Sequence, residues 1–391
     1  MSFAHRYLET AIKITAEYNG AVPLHHYLKE FFAAHRKHGS TDRKSISHAC
    51  YCYYRLGHAM KAADPNEKMK AGIFLCTPQP ANWKALYDER WLSAWSEDLR
   101  KRIDFCQNET AFRLADVFPF TSYLSAGVEP EEFTLSHLLQ PDLHLRLRPG
   151  KEALVRQQLH AAGISFINCS DTCIALPNGT KIETLINLNT DAIVQDHSSQ
   201  RVGGFFSSIR GDRQSWEVWD CCAASGGKSI LAYDCLGRIR LTVSDLRASI
   251  ISNLRRRFAA AGIKDYTALV ADLTTEKPVG EKCFDLVICD APCSGSGTWS
   301  RNPEQLCFFN AGKIGYYVSL QSSITRNVIL SIKEGGYLLY ITCSVFKPEN
   351  ESAVEEILSH KGVKLIRKEL LKGYGRKADT MFAALFTVSP L

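Results

Sequence analysis

Hydrophobic positions change their spacing twice along the chain. Over residues 1–128 they recur at helical intervals: Tyr7, Leu8, Ile12 and Ile14; Leu24, Tyr27, Leu28, Phe31 and Phe32; Ile46, Ala49, Cys50, Tyr53 and Tyr54; Trp91, Leu92, Trp95 and Leu99. Polar or proline-containing breaks at residues 39–42, 63–66 and 78–80 divide these runs. The pattern predicts a helical bundle, with one helix opening near Ser40 on a capping side chain.

Over residues 129–192 the alternation becomes that of strands. Residues 143–148, 164–167 and 173–176 are predicted strands and 151–160 a short helix, which together make a small α+β subdomain. It is comparable to an RNA-recognition fold, although the aromatic signature of that fold is missing. From residue 193 onward strands alternate with helices. Strands are predicted at 216–221, 240–244, 268–271, 284–289 and 336–341, and helices at 228–235, 246–260, 317–332 and 349–360. Segments 363–366 and 381–387 complete the set. Alternation of this length predicts an α/β domain with a doubly wound, parallel sheet. The division expected is therefore 1–128, 129–192 and 193–391.

Composition adds limits. The 391 residues are 45% hydrophobic and 23% charged, ordinary for a globular chain, and the net charge of +6 permits a polyanionic partner without requiring one. Short basic clusters, such as His35 to His38 and Arg255 to Arg257, suit phosphate contacts but also suit solvated helix faces. The start of the chain lacks a signal-like apolar run, and no stretch reaches the ~18 apolar residues of a membrane span. The 14 cysteines are scattered without a Cys-x-x-Cys pair, as expected of reduced thiols in a cytoplasmic protein. Cys50 and Cys52 near His48 and His58 are a poor ligand set, and no metal is expected.

Candidate chemistry gathers after the predicted strands, where ligands of open α/β sheets bind. The loop Cys222, Ala223, Ala224, Ser225, Gly226, Gly227, Lys228 follows Asp220, and its glycine pair lets backbone approach a ligand closely. It is neither of the common phosphate loops: Cys222 stands where a P-loop needs glycine, and Gly-x-Gly-x-x-Gly is absent. Asp245 closes the next strand, where a carboxylate suits a ribose diol, and Asp272 the one after, where it can accept from an adenine amine. Adenosine recognition without a phosphate cradle favours S-adenosylmethionine over a nucleotide. Asp290 and Cys293 share one turn, and Cys343 occupies a second, in Thr342-Cys-Ser344. A lone cysteine is ordinarily a small buried hydrophobe. Two on neighbouring loops with an acid beside them point to chemistry, provided a base, a cation or a helix N-terminus activates the thiol.

These residues resemble the Sun/Fmu (RsmB-type) family of S-adenosylmethionine-dependent RNA cytosine-5 methyltransferases. The likeness rests on residues 195–200 (Gln-Asp-His-Ser-Ser-Gln), 220–229, Asp245, Asp272, 290–298 (Asp-Ala-Pro-Cys-Ser-Gly-Ser-Gly-Thr), 342–344 and the tail from Asp379. Residues 39–55 are similar to the NusB-like helical domain of bacterial members. The resemblance implies a Rossmann-like class I methyltransferase sheet and S-adenosyl-L-methionine bound by residues 222–228, Asp245, Asp272 and Asp290. It also implies a mechanism in which Cys343 adds to carbon 6 of cytosine, Asp290 hydrogen-bonds or protonates nitrogen 3, and Cys293 assists product release. Lys228 is left between two roles, beside the cofactor carboxylate or beside the Cys343 thiolate. One departure stands out: Ser225 occupies a position where the family usually has proline, which would fix φ. The implied partner is RNA, ribosomal rather than transfer RNA, with no membrane and a monomeric chain. The alternatives are a transfer-RNA enzyme or an inactive methyltransferase-like assembly factor. A DNA cytosine-5 enzyme fits less well because it lacks the Thr-Cys-Ser loop, and a dehydrogenase because its glycine loop is absent.

Overall fold

The computed structural model describes residues 2–209 and 214–389. Two compact units emerge, each discontinuous in sequence. The first holds the chain up to Ser122 with Glu129–Gln140 and Thr298–Ala311. The second holds Tyr123–Val128, Pro141–Gly297 and the chain from Gly312. The expected division at 128 and 192 follows local pattern, whereas these units are set by contacts that return to earlier segments.

The first unit is helical, with helices at Phe3–Glu17, Leu24–Ala34, Ser40–Arg55, Pro65–Cys76 and Leu99–Glu109. Their apolar stripes meet in a core that includes Leu8, Ala11, Ile14, Leu28, Ile46, Ala49 and Ile73. The cap predicted at Ser40 is one residue off. Gly39 is the N-cap, and its N–H donates to Asp42 Oδ2 at 2.9 Å. The predicted run from Trp91 to Leu99 is broken: the helix Glu89–Ala94 ends at an extended Trp95, and Asp98 caps a new one. Buried Arg55 holds separate segments of this unit together. Its guanidinium donates to the carbonyls of His137, Leu139 and Ser300 at 2.7–2.9 Å.

The second unit contains two sheets. The small one has strands β1 (Leu143–Leu147), β2 (Ile167–Ser170), β3 (Cys173–Leu176) and β4 (Ala192–Val194) in the order β2-β3-β1-β4, all neighbours antiparallel. The strand expected at 164–167 begins only at Ile167. Ile164 and Phe166 pack against the subdomain core instead of pairing.

The large sheet has strands β5 (Trp216–Asp220), β6 (Ile239–Asp245), β7 (Tyr266–Val270), β8 (Phe284–Asp290), β9 (Ile332–Thr342), β10 (Val363–Leu371) and β11 (Met381–Val388). Their order is β10-β11-β9-β8-β5-β6-β7. The pairs from β9 through β8, β5 and β6 to β7 are parallel, while β11 runs antiparallel to both β9 and β10. The sheet is thus the expected doubly wound one with an antiparallel edge. Alternate residues feed two cores, one on each face: Val218, Leu286, Ile288 and Leu339 on one, Trp219, Val287, Cys289 and Leu338 on the other. Such two-sided burial explains why β8 reads as a continuous apolar run. No helix among the described residues is long and apolar enough to cross a membrane.

Candidate functional site

Three neighbouring strands, β5, β6 and β8, each end on an aspartate: Asp220, Asp245 and Asp290. Their carboxyl ends open into a cavity of about 380 Å³. Asp245, Asp272 and Asp290 supply its acidic side, Cys222 and Ala224 its floor, and Leu273, Leu320 and Ile324 apolar wall. Carboxylates facing an apolar wall suit a ligand with a flat ring at one end and polar groups at the other. A larger cavity, about 730 Å³, lies in the helical unit near Ile103 and Phe118, but it gathers no thiol and none of the strand-end acids.

The loop from Cys221 to Gly227 is held open by its backbone. Ala224 and Gly226 both adopt positive φ, +45° and +83°. A Cβ on Gly226 would meet Phe258 at 2.6 Å, so this turn demands glycine. Asp245 fixes two loops at once: Oδ2 accepts the N–H of Ala224 at 3.1 Å and Oδ1 that of Arg247 at 3.0 Å. Asp272 Oδ1 accepts the N–H and hydroxyl of Thr274, which hold its carboxyl below the usual range. Arg257 clamps Ser225, donating to its carbonyl at 2.9 Å and to its hydroxyl at 2.6 Å.

Asp220 does not line the cavity. It is fully buried, accepts the Ser229 hydroxyl at 2.5 Å, and is pushed by burial up to about 7. Its place is beneath the loop, holding the first turn of the helix Gly227–Leu236.

The thiol side lies next to Asp290. Lys228 Nζ donates to Asp290 Oδ2 at 2.9 Å. Burial alone would lower the Lys228 ammonium, but Asp290 and Cys343 outweigh it and its pKa rises. Cys343 is pushed well up, first by burial and then by Asp290 and Cys293, with Lys228 opposing. Cys293 is pushed up to about 12, by burial and by Glu349, although its sulfur receives the backbone N–H groups of Gly295 and Cys343. Both thiols are therefore protonated at rest.

What holds the two thiol loops together is a feature that local pattern does not reveal. Glu349, fully buried, accepts the Ser294 N–H at 2.7 Å, the Ser294 hydroxyl at 2.6 Å and the Ser344 hydroxyl. Ser296 bridges to Ser344 at 3.1 Å and takes the N–H of Val345 at 2.9 Å. Gly297 donates its N–H to the Cys343 carbonyl and accepts that of Thr380, both at 2.9 Å. A Cβ there would lie 1.8 Å from the Thr380 oxygen.

Of the residues expected from sequence, Cys222, Ala224, Asp245, Asp272 and Asp290 line the cavity. Lys228, Cys293 and Cys343 cluster around Asp290. Ala223, Ser225, Gly226 and Gly227 shape the loop without lining the cavity. Lys228, left open between two neighbours, pairs with Asp290 beside Cys343. Sequence reading missed Glu349 because it was assigned to an ordinary helix. It also missed Leu320 and Ile324, whose i, i+4 spacing on the helix Gly312–Ile329 was the available signal.

The chain is similar to known proteins in sequence and in fold. Residues 211–387 match the model of the 16S rRNA methyltransferase RsmB/F family. Ribosomal RNA small subunit methyltransferase B of Xylella fastidiosa (strain 9a5c) is 28% identical over 221 residues, covering 56% of this chain and 51% of that protein. The probable ribosomal RNA small subunit methyltransferase B of Bacillus subtilis (strain 168) is 28% identical over 238 residues, covering 58% and 52%. The chain spans about half the length of these curated relatives. Among solved structures, that of PH0851 matches with a TM-score of 0.71 at 21% identity, covering 98% of both chains. That of NSun6 from Pyrococcus horikoshii with SFG matches with a TM-score of 0.56 at 13% identity, covering 64% of this chain and 92% of that one. Over residues 211–387, a little under half of its length, the chain is thus similar to the RsmB/F methyltransferase family.

Proposed function

We propose that the chain is an RNA cytosine-5 methyltransferase acting on ribosomal RNA with S-adenosyl-L-methionine. The observation that carries this reading is the closure of two cysteine loops on one ion-paired carboxylate, Asp290, at the rim of the cavity. S-adenosylmethionine would supply the methyl group. The fit rests on the donor set: Asp245 for the ribose hydroxyls, Asp272 for the adenine amine, and Leu273, Leu320 and Ile324 against the ring.

Carbon 5 of cytosine is a weak nucleophile. Cys343, as thiolate, forms a bond to carbon 6, and the displaced electron pair moves toward nitrogen 3 and the carbonyl oxygen on carbon 2. Asp290 meets that charge by hydrogen-bonding or protonating nitrogen 3. Carbon 5, now enamine-like, takes the methyl group. A base, water or a neighbouring thiolate, then takes the carbon-5 proton, and the electron pair of that C–H bond restores the ring double bond and expels the Cys343 sulfur, with Cys293 assisting this release. The ion pair gives the thiol its trigger. Lys228 is neutralised by Asp290 at rest, so the buried thiol stays protonated. Once Asp290 takes a proton or turns to the base, Lys228 is left as an uncompensated cation beside Cys343, which favours the thiolate. The target nucleotide must be unstacked to meet both groups.

The test is an RNA adduct that survives denaturing electrophoresis. It should accumulate in Cys293→Ala and be missing from Cys343→Ala. The opposite pattern would reverse the two roles. Bisulfite sequencing of ribosomal and transfer RNA with and without the protein then identifies the target, and modification confined to transfer RNA would replace the ribosomal assignment.

A further inference from the structure

Away from the cavity, Cys169, Cys173 and His197 bring one potential ligand atom each within 4.8 Å of one another. They come from three elements. Cys169 lies in β2, Cys173 opens β3 across the hairpin turn, and His197 is the first residue of the helix His197–Arg201. Cys173 Sγ stands 3.4 Å from His197 Nδ1. A tetrahedral zinc ion with Zn–S of about 2.3 Å and Zn–N of about 2.0–2.1 Å sets its ligand atoms roughly 3.3–3.8 Å apart. The observed separation is that of one tetrahedral edge. Cys173 and His197 are buried, whereas Cys169 is partly exposed, so an ion has a way in from the hairpin edge.

We propose that Cys169, Cys173 and His197 form a zinc-binding site that fastens the small sheet to the start of the methyltransferase domain. Two sulfurs and one imidazole suit zinc better than hard cations, which prefer oxygen, and two thiolates balance the charge of a divalent ion. A fourth ligand, water or a nearby side chain, completes the shell. Beside His197 lies a second imidazole, His144, with ring centroids 5.9 Å apart and His144 Nδ1 3.7 Å from Asp196 Oδ2.

The tie has a structural consequence. The two residues before His197 reach toward the large sheet and its loops. Gln195 Nε2 donates to the Gly227 carbonyl at 3.4 Å, and Asp196 Oδ2 accepts the N–H of Asp379 at 3.0 Å. An ion at His197 therefore braces the segment that supports both the glycine loop and the Cys343 neighbourhood. The thiol triad Cys221, Cys222 and Cys289 is the competing set. It offers sulfur alone and suits softer ions.

The experiment measures zinc in the purified full-length protein by plasma mass spectrometry after growth with zinc and gel filtration. About one zinc per chain is expected, falling below about a tenth in Cys169→Ser and Cys173→Ala. Exposed Cys235→Ala should keep the full content. Cobalt substitution should give the absorption of a tetrahedral thiolate-imidazole site, lost in His197→Ala. Cys169→Ser, at the hairpin edge, is the variant expected to stay folded, checked by circular dichroism. Zinc retained by folded Cys169→Ser places the ion elsewhere and overturns the proposal. So does a Cys169–Cys173 disulfide in protein purified without oxygen, or absence of zinc from the wild type.

Discussion

Lys228 Nζ and Asp290 Oδ2 are 2.9 Å apart, with the lysine only 9% exposed, and both act on the Cys343 thiol from opposite signs. Removing the cation should therefore raise the thiol further. In Lys228→Met the rate at neutral pH should fall on the order of ten- to hundredfold, and the alkaline rise of the pH–rate profile should move upward, because each unit of thiol pKa changes the thiolate fraction about tenfold. Lys228→Arg should recover part of the rate. Single-turnover rates against pH check this. An unmoved profile with only a higher KM for S-adenosylmethionine would assign Lys228 to the cofactor instead.

Asp220 should make stability depend on pH. Its folded-state pKa is raised to about 7 from 3.8, mainly by burial. The stability linked to its protonated form is complete below about 3.8 and lost as pH rises toward 7, reaching an order of a few kcal/mol. Asp220→Asn, neutral throughout, should flatten the urea stability curve between these values. A variant curve parallel to the wild type would show that Asp220 is not the source.

Glu349 should be felt in both stability and rate. Glu349→Ala leaves the Ser294 N–H and the Ser294 and Ser344 hydroxyls without their acceptor, at a cost of at least about 3 kcal/mol. Glu349→Gln keeps an acceptor oxygen and should lose less. Because Glu349 is not part of the cavity lining, Glu349→Gln should bind S-adenosylhomocysteine normally yet transfer methyl groups more slowly. Calorimetric binding beside a turnover assay separates the two effects. Equal losses in both would make Glu349 a general stability residue.

Arg257 tethers Ser225 by two hydrogen bonds, one to its carbonyl and one to its hydroxyl. Arg257→Ala should weaken S-adenosylhomocysteine binding about three- to tenfold, Ser225→Ala should lose less because its carbonyl still accepts from Arg257, and the double variant should lose little more than Arg257→Ala alone. Asp245→Asn should lose more than either, because Asp245 orients two loops and is the group assigned to the ribose. Isothermal titration reads all four proteins, and additive losses at Arg257 and Ser225 would dissolve the coupling.

The sequence revealed the α/β alternation because two-sided burial writes uninterrupted apolar runs, as at residues 286–289. It placed Asp245, Asp290, Cys293 and Cys343 because strand-end residues are local to their strands. It could not separate Asp220 from the other strand-end acids, since burial beneath a loop leaves no mark on neighbouring residues. Nor could it find Glu349, whose partner Ser294 is 55 residues away. The displaced cap at Ser40 and the late start of β2 are the usual errors of one to three residues at element ends.

The bonds through Gly297 have a temporal meaning as well. During synthesis the segments bearing Cys293 and Cys343 are made before Thr380 and β11. Yet β11 is the strand that lies between β9 and β10, and Thr380 is the partner that Gly297 awaits. Such distant pairings form late. A nascent chain therefore carries both thiols before their loops are fastened to each other, and the surroundings of Asp290 are complete only when β11 inserts.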